Sequence, residues 1–143
     1  STTQASVTID QKLYSEIGKG FLVLIGICDE DTKETADKMV RKLIGMRIFS
    51  DENGKTNLAL KDVDGQLLLV SQFTLYADCK KGNRPSFVKA GSPQHANELY
   101  EYIIDACKKE VPVVKTGVFG AEMEVALIND GPFTIILDSK DLA

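Results

Sequence analysis

The residues best placed to do chemistry lie where an apolar run turns polar: Leu67-Leu-Leu-Val70 continues into Ser71-Gln72-Phe73-Thr74-Leu75. Read as one strand, this puts Ser71, Phe73 and Leu75 on one face and Gln72 and Thr74 on the other. Hydroxyls and an amide emerging from a buried core can polarise a carbonyl or shape a pocket. A strand simply surfacing from the core, with Thr74 favoured by β propensity, accounts for the same residues. A second feature is Gly131-Pro132, which reads as a hairpin turn, since only about 5–6% of X–Pro bonds in folded proteins are cis. Between the two, Lys80, Lys81, Arg84 and Lys89 are interleaved with Gly82, Pro85 and Phe87. This short basic run is either a phosphate-contacting loop or a solvated surface loop.

Familiar catalytic signatures do not fit. Asp51-Glu52-Asn53-Gly54 and Asp62-Val63-Asp64-Gly65 lack the twelve-residue ligand spacing of a calcium loop and read as turns. Ser86-Phe-Val-Lys89 and Lys115-Thr116-Gly117 match pieces of a penicillin-recognising serine enzyme, but no Ser-Asp-Asn lies between them and Pro85 argues against Ser86 opening a helix. His95, the single histidine, has no neighbouring nucleophile or acid and reads as a solvated helix residue. Cys28, Cys79 and Cys107 are an odd set with no Cys-x-x-Cys pair, so neither a disulfide framework nor a zinc site is supported, and buried thiols are the default. Any hydrolysis must then use backbone donors or a group on the substrate. A noncatalytic binding module fits the same inventory.

The elements that would position these residues can be traced by period. Ala5, Val7 and Ile9 alternate with polar residues as in a half-buried strand, and Phe21 to Ile27 reads as a strand covered on both faces, with Gly18 and Gly20 at the turn between. Asp31 with Glu34 forms a capping-box pattern for a helix that buries Ala36, Met39, Val40, Leu43 and Ile44 and stops at Gly45. Glu34 with Lys38 and Asp37 with Arg41 are favourable i,i+4 pairs on its outer face. Ser92-Pro93 opens a second helix, as N-cap and N1, burying Ala96, Leu99, Tyr100, Ile103, Ile104 and Cys107. Glu122 to Asn129 and Phe133 to Asp138 flank Asp130-Gly131-Pro132 as a hairpin. Six or seven strands and two one-sided helices, without regular alternation, predict an α+β fold with a curved, mixed or antiparallel, barrel-like sheet.

Length and charge bound the rest. With 143 residues, 43% hydrophobic and 27% charged, the chain is one globular domain over residues 1–143, not a disordered segment. Seventeen Lys+Arg against 21 Asp+Glu give a net charge of −4, so contact with nucleic acid must rest on a local patch and wholesale DNA coating is excluded. No apolar run approaches the roughly 20 residues of a membrane span, and no signal peptide is evident. These features predict a soluble protein of a reducing compartment.

Taken together, Ser71-Gln-Phe-Thr-Leu75, Lys81-Gly-Asn-Arg-Pro-Ser-Phe87, Thr116-Gly-Val-Phe-Gly-Ala121 and Asn129-Asp-Gly-Pro-Phe-Thr134, with Arg47-Ile-Phe49, resemble the D-aminoacyl-tRNA deacylases, first described as D-tyrosyl-tRNA deacylases. The order and spacing match over essentially the whole chain. The resemblance implies a cytoplasmic homodimer that cleaves the ester between a D-amino acid and the terminal adenosine of tRNA, without metal or cofactor, in two active sites at the subunit interface. Ser71, Gln72 and Phe73 match the segment around the scissile carbonyl. Thr74 matches a residue proposed in the family as a nucleophile; the competing view gives its role to the ribose 2′-hydroxyl, and the sparse acid and base inventory favours that view. Gly131-Pro132 matches a Gly–cisPro element that reaches into the partner's site and excludes L side chains, so glycyl-tRNA is expected to be cleaved as well. Phe119 and Met123 match a segment lining the adenosine pocket, although a Phe and a Met there are equally suited to a core. Lys80, Lys81 and Arg84 remain the expected tRNA phosphate contacts. The family usually opens with a strand ending in Gln-Arg-Val, and that strand is expected to be missing or altered here, since the chain starts at Ser1 with Ala5-Ser-Val7 close behind.

Overall fold

Leu67-Leu-Leu-Val70 is the most deeply buried stretch, with every side chain 1% exposed or less. The structure, a computed structural model, describes all 143 residues. Its elements are β1 (Thr2–Ile9), β2 (Lys12–Ile17), β3 (Gly20–Ile25), α1 (Lys33–Gly45), β4 (Phe49–Ser50), β5 (Thr56–Leu58), β6 (Gln66–Ser71), α2 (Pro93–Lys108), β7 (Val114–Thr116) and β8 (Glu124–Asn129). Single 3-10 turns cover Leu60–Val63, Phe73–Tyr76 and Ser139–Asp141. No helix is long and apolar enough to cross a membrane.

The main sheet has the order β2-β1-β3-β6-β7, with β8 paired to β1. β3, β6 and β7 are mutually parallel, whereas β1 runs antiparallel to β2 and β8. The Ser15 hydroxyl of β2 donates to the Thr116 carbonyl of β7 at 2.7 Å, so the two ends of the strand order meet and the sheet nearly closes into a barrel. Leu67 and Leu69 face α1 and α2, while Leu68 and Val70 pack with Ala5, Val7 and Ile17 inside the curl. Burial on both faces is why β6 is apolar without alternation. The expected α+β class, barrel-like mixed sheet and two helices hold; the strand count rises to eight because β4 and β5 form a short ribbon of their own.

Local details differ from the sequence reading in several places. The N-cap of α1 is Thr32, whose box partner is Thr35; the Asp31 carboxylate instead accepts from the Cys28 N–H at 2.9 Å. A hydroxyl pair one residue on closes the same reciprocal bonds that Asp31 and Glu34 were expected to make. The expected pairs on α1 do not form: the one ion pair of the protein is Lys89 with Asp78, and Asp37 accepts from the Tyr102 hydroxyl of α2 at 2.7 Å. That interhelical bond is worth more than an exposed pair screened by water. The Ser92 cap and Pro93 at the start of α2 are as expected. His95 is half-buried rather than solvated, its Nε2 lying 2.9 Å from the Asp31 carbonyl oxygen, which ties the two helix starts together. Of the cysteines only Cys107 is buried; Cys28 is half-buried and Cys79 exposed.

Phe133 to Asp138 is not a strand, and no hairpin forms. β8 takes β1 as its partner, and the Phe133 N–H is occupied elsewhere, donating to the Asn129 side chain at 3.0 Å.

Gly20 marks the tightest backbone contact. It has φ +155°, and a Cβ there would lie 1.9 Å from the Gln66 carbonyl oxygen in the adjoining strand. Gly20→Ala is therefore expected to destabilise at least as strongly as Leu68→Ala, for which about 2–5 kcal/mol is typical of a fully buried leucine. Urea midpoints for the two variants test this, and a Gly20→Ala midpoint equal to wild type would contradict it.

Candidate active site

β6 ends beside two parallel neighbours, and this gathers three strand ends. Ser71 lies opposite Ile25 of β3, the Gln72 N–H donates to the Ile25 carbonyl at 2.8 Å, and on the other side the Gly117 N–H donates to the Leu69 carbonyl at 3.2 Å. The extended path stops there. Gln72 has φ −141° and ψ 84°, and Phe73–Tyr76 coil into a 3-10 turn. The expected alternation through Leu75 is thus replaced by a turn that exposes Phe73 and Leu75 alike, at 57% and 55%. The cause is steric as well as polar, because Leu75 and Tyr76 fold back over Gly26, where a Cβ would sit 3.1–3.3 Å from them.

Within the turn, the Gln72 side-chain amide donates to the Thr74 hydroxyl at 2.6 Å. An amide in either orientation is not a base, so this partner cannot take a proton from Thr74. The N–H groups of Phe73 and Thr74 open the turn, where a helix leaves its first donors without internal acceptors. The basic run folds back on the same turn: Asp78 and Ser86 bridge through two backbone bonds of 2.7 and 2.9 Å, and the Phe87 ring meets Phe73 edge-on at 5.3 Å. Lys80, Lys81 and Arg84 are exposed and unpaired, while Lys89 lies 3.5 Å from Asp78. The Lys80 N–H, helped by Lys89, holds the Asp78 carboxyl below its usual range.

Phe119 and Met123 flank the end of β7. Phe119 is half-buried, its ring 6.2 Å from that of Tyr100. Met123 packs on the Leu68 and Val70 side, with Sδ 3.5 Å from the Val118 nitrogen and closed over Gly117. Tyr100 donates its hydroxyl to the Leu69 carbonyl at 2.7 Å, and burial pushes its pKa up to about 12.

Gly131 and Pro132 lie elsewhere. β8 sets Asn129 opposite Thr2, Thr2 pairs with Gly20, and Gly20 pairs with Gln66, the first residue of β6. Within one chain they therefore adjoin the end of β6 remote from Ser71, about 16 Å along the strand at roughly 3.3 Å per residue. Both are exposed, their peptide bond is cis and Gly131 has φ +125°. Asn129 staples this turn, donating to the Thr134 hydroxyl at 2.7 Å while its oxygen accepts from Phe133.

A family model, D-Tyr-tRNA(Tyr) deacylase, matches residues 1–138. The chain belongs to this deacylase family. A D-aminoacyl-tRNA deacylase of Clostridium novyi is 53% identical over 96% of this chain and 92% of its own length. A solved structure named c-Myc DNA Unwinding Element Binding Protein superposes with a TM-score of 0.90 at 41% identity, covering 96% of this chain and 93% of that one. The solved structure of a probable eukaryotic D-amino acid tRNA deacylase shares the fold alone, with a TM-score of 0.76 at 16% identity over 89% of each chain. The activity of the chain is accordingly hydrolysis of D-aminoacyl-tRNA, releasing the D-amino acid from aminoacyl-tRNA.

Two residues at the Phe73–Tyr76 turn, Tyr76 and Cys28, had no place in the site read from the sequence. Burial, reinforced by the Cys28 thiol, raises the Tyr76 hydroxyl well above its ordinary range, and burial likewise raises Cys28. Neither has a local pattern that marks it. A raised thiol pKa means less thiolate at neutral pH, so iodoacetamide at pH 7.5 is expected to label exposed Cys79 first, Cys28 slowly and Cys107 only after unfolding. Peptide mass spectrometry over time gives the order; Cys28 reacting as fast as Cys79 would contradict it.

Proposed function

We propose that this deacylase works as a homodimer with composite, metal-free sites, each combining the Ser71–Thr74 turn of one protomer with Gly131-Pro132 of the other. One observation carries the reading: the two elements sit at opposite ends of β6 in a single chain, so a site using both requires a second copy. Exposed Leu127, Ile128, Ile135 and Ile136, beside the Gly131 turn, supply apolar surface for such an association. Ser71, Gln72 and Phe73 surround the scissile carbonyl, and the free N–H groups at the start of the turn stabilise the oxyanion as it develops. The Gln72 N–H, already bonded to Ile25, is not among them.

Gly131-Pro132 selects the substrate by exclusion. The two hands of an amino acid differ in which direction at Cα carries the side chain, and a wall of backbone in one direction rejects the L form without reading the side chain itself. Glycine meets no wall. Phe119 and Met123 border the adenosine, and Lys80, Lys81 and Arg84 hold tRNA phosphates. A cytoplasmic location follows from the substrate.

Release of labelled amino acid from D-tyrosyl-, L-tyrosyl- and glycyl-tRNA, with and without EDTA, tests this reading. The expected result is EDTA-resistant release from the D-tyrosyl and glycyl esters and none above background from the L ester. Gly131→Ala, strained at its positive φ and brought within 3.0 Å of the Phe133 nitrogen, should slow D-ester release and narrow the D-over-L ratio. Unchanged selectivity in this variant, or a glycyl ester that is inert, refutes selection by exclusion.

With no base beside Thr74, the ribose 2′-hydroxyl assists the reaction and Thr74 positions Gln72. Thr74→Val is then expected to stay within about tenfold of wild-type kcat, whereas loss of a covalent nucleophile costs roughly 10⁴-fold or more. A substrate ending in 2′-deoxyadenosine should lose about 10²–10⁴-fold. The reverse pattern, an inert valine variant and an active deoxy substrate, makes Thr74 the nucleophile.

A further inference from the structure

The outer face of α1 carries a feature that the site does not use. Lys38, Arg41, Lys42 and Arg47 line one shallow cleft of about 540 Å³, with Leu142 and Ala143 at its rim. All four cations are exposed, and none lies within 4 Å of a carboxylate, in a protein whose net charge is −4. By contrast, the adjoining cleft between α1 and α2 carries Asp37, Asp105 and Glu110 among its lining. The helix dipole favours a cation in the last turn, which accounts for Lys42 but not for the other three. Lys38, Arg41 and Lys42 fall at i, i+3 and i+4, on one face at Cβ spacings of about 5–6 Å. Arg47 is fixed in place: its Nε donates to the Asn57 carbonyl at 3.0 Å and a terminal nitrogen to the Asn57 side chain, which in turn donates to Asp51. A guanidinium held this way loses little freedom on meeting an anion.

We infer that this cleft is a second RNA-contacting surface, binding backbone phosphates of the substrate tRNA away from its aminoacyl end. The inference rests on tRNA being the substrate. Position favours RNA over a small anion, because a series of contacts starting two residues after Arg47 leads from the cleft to the end of the barrel that carries Gly131. Phe49, just after Arg47, stacks on Phe21 at 5.2 Å and lies under Lys19, which neighbours the Gly20–Thr2–Asn129 contact. A protomer that lends Gly131-Pro132 to its partner's site also brings this cleft toward the partner's substrate. The phosphates near the aminoacyl end then meet the basic loop of one subunit, and those farther along the tRNA meet this cleft of the other.

The test compares two D-tyrosyl esters, that of full-length tRNA and that of its 3′-terminal tetranucleotide, for wild type, Arg41→Glu/Lys42→Glu and Lys38→Gln/Arg41→Gln. Expected for both variants is a KM for the full tRNA raised about tenfold or more with kcat retained, unchanged turnover of the tetranucleotide ester, and a salt dependence flattened by about one unit of slope for each phosphate no longer neutralised. KM and salt slope equal to wild type would overturn the inference. An equal fall on both esters in both variants also overturns it, since the residues then act through the fold or the chemistry. Wild-type turnover of the full tRNA ester, measured alongside, separates either failure from a failure of the deacylase assignment.

Discussion

The structure depends on burying one strand on both faces. β6 has helices on one side and the curled β1 and β2 on the other, and its leucines can be continuous only because neither face meets water. Its two parallel neighbours fix where it can end: past Ile25 and Gly117 there is no further ladder to join, so the polar residues after Val70 emerge at a point set by the core. A turn carried on such a strand is located more rigidly than one carried on a loop between exposed edges. Leu68 and Leu69, which touch no substrate, therefore determine where Ser71 and Gln72 stand.

What the sequence made legible follows from this constraint. Periodicity located β6 and both helices because each has a strongly one-sided or fully buried pattern, and Ser92-Pro93 marked the start of α2 because cap chemistry is local; β3 was expected to be covered on both faces, but it ends at Ile25 and leaves Leu24 43% exposed. The end of β6 was not legible. Ser71 to Leu75 satisfies a period of two, and the contact that turns the chain, Leu75 and Tyr76 against bare Gly26, is separated from it by nearly fifty residues. The same holds for Phe133 to Asp138, whose composition suits a strand but whose first N–H is taken by the Asn129 side chain. The shift of the α1 cap from Asp31 to Thr32 has a simpler cause: two capping patterns overlap, and the backbone of Cys28 takes the carboxylate of the first.

The candidate site divides in the same manner. Ser71, Gln72, Thr74, Gly131 and Pro132 could be named from motifs, yet their arrangement could not, because the distance between the two motifs is a property of strand order. Phe119 and Met123 show why two readings of a residue can coexist: each packs against the core and each borders the end of β7, so a side chain of the core's outer layer could also serve the proposed pocket. The basic loop was legible as charge alone. Its attachment to the turn, through the Phe73 and Phe87 rings and the Asp78–Ser86 bridge, is tertiary.

On the proposed reading, separating the reactive turn from the selective one has a physical consequence for a hydrolase that rejects the commoner hand of its substrate. If both were on one flexible loop, a motion that opened the reactive turn to a larger side chain would also carry the selective turn away, and exclusion would weaken when it is needed. Here each is anchored separately, one to the end of a doubly buried strand and the other to a strand pairing stapled by the Asn129 side chain. The proposed selection by backbone has a second advantage in this geometry. A side-chain wall can change rotamer to admit a close isomer, whereas Gly131 and Pro132 can retreat only if the β8 turn itself moves. In the proposed homodimer, rejection would then depend on the rigidity of the fold and on how two copies meet, and not on any group that recognises the amino acid.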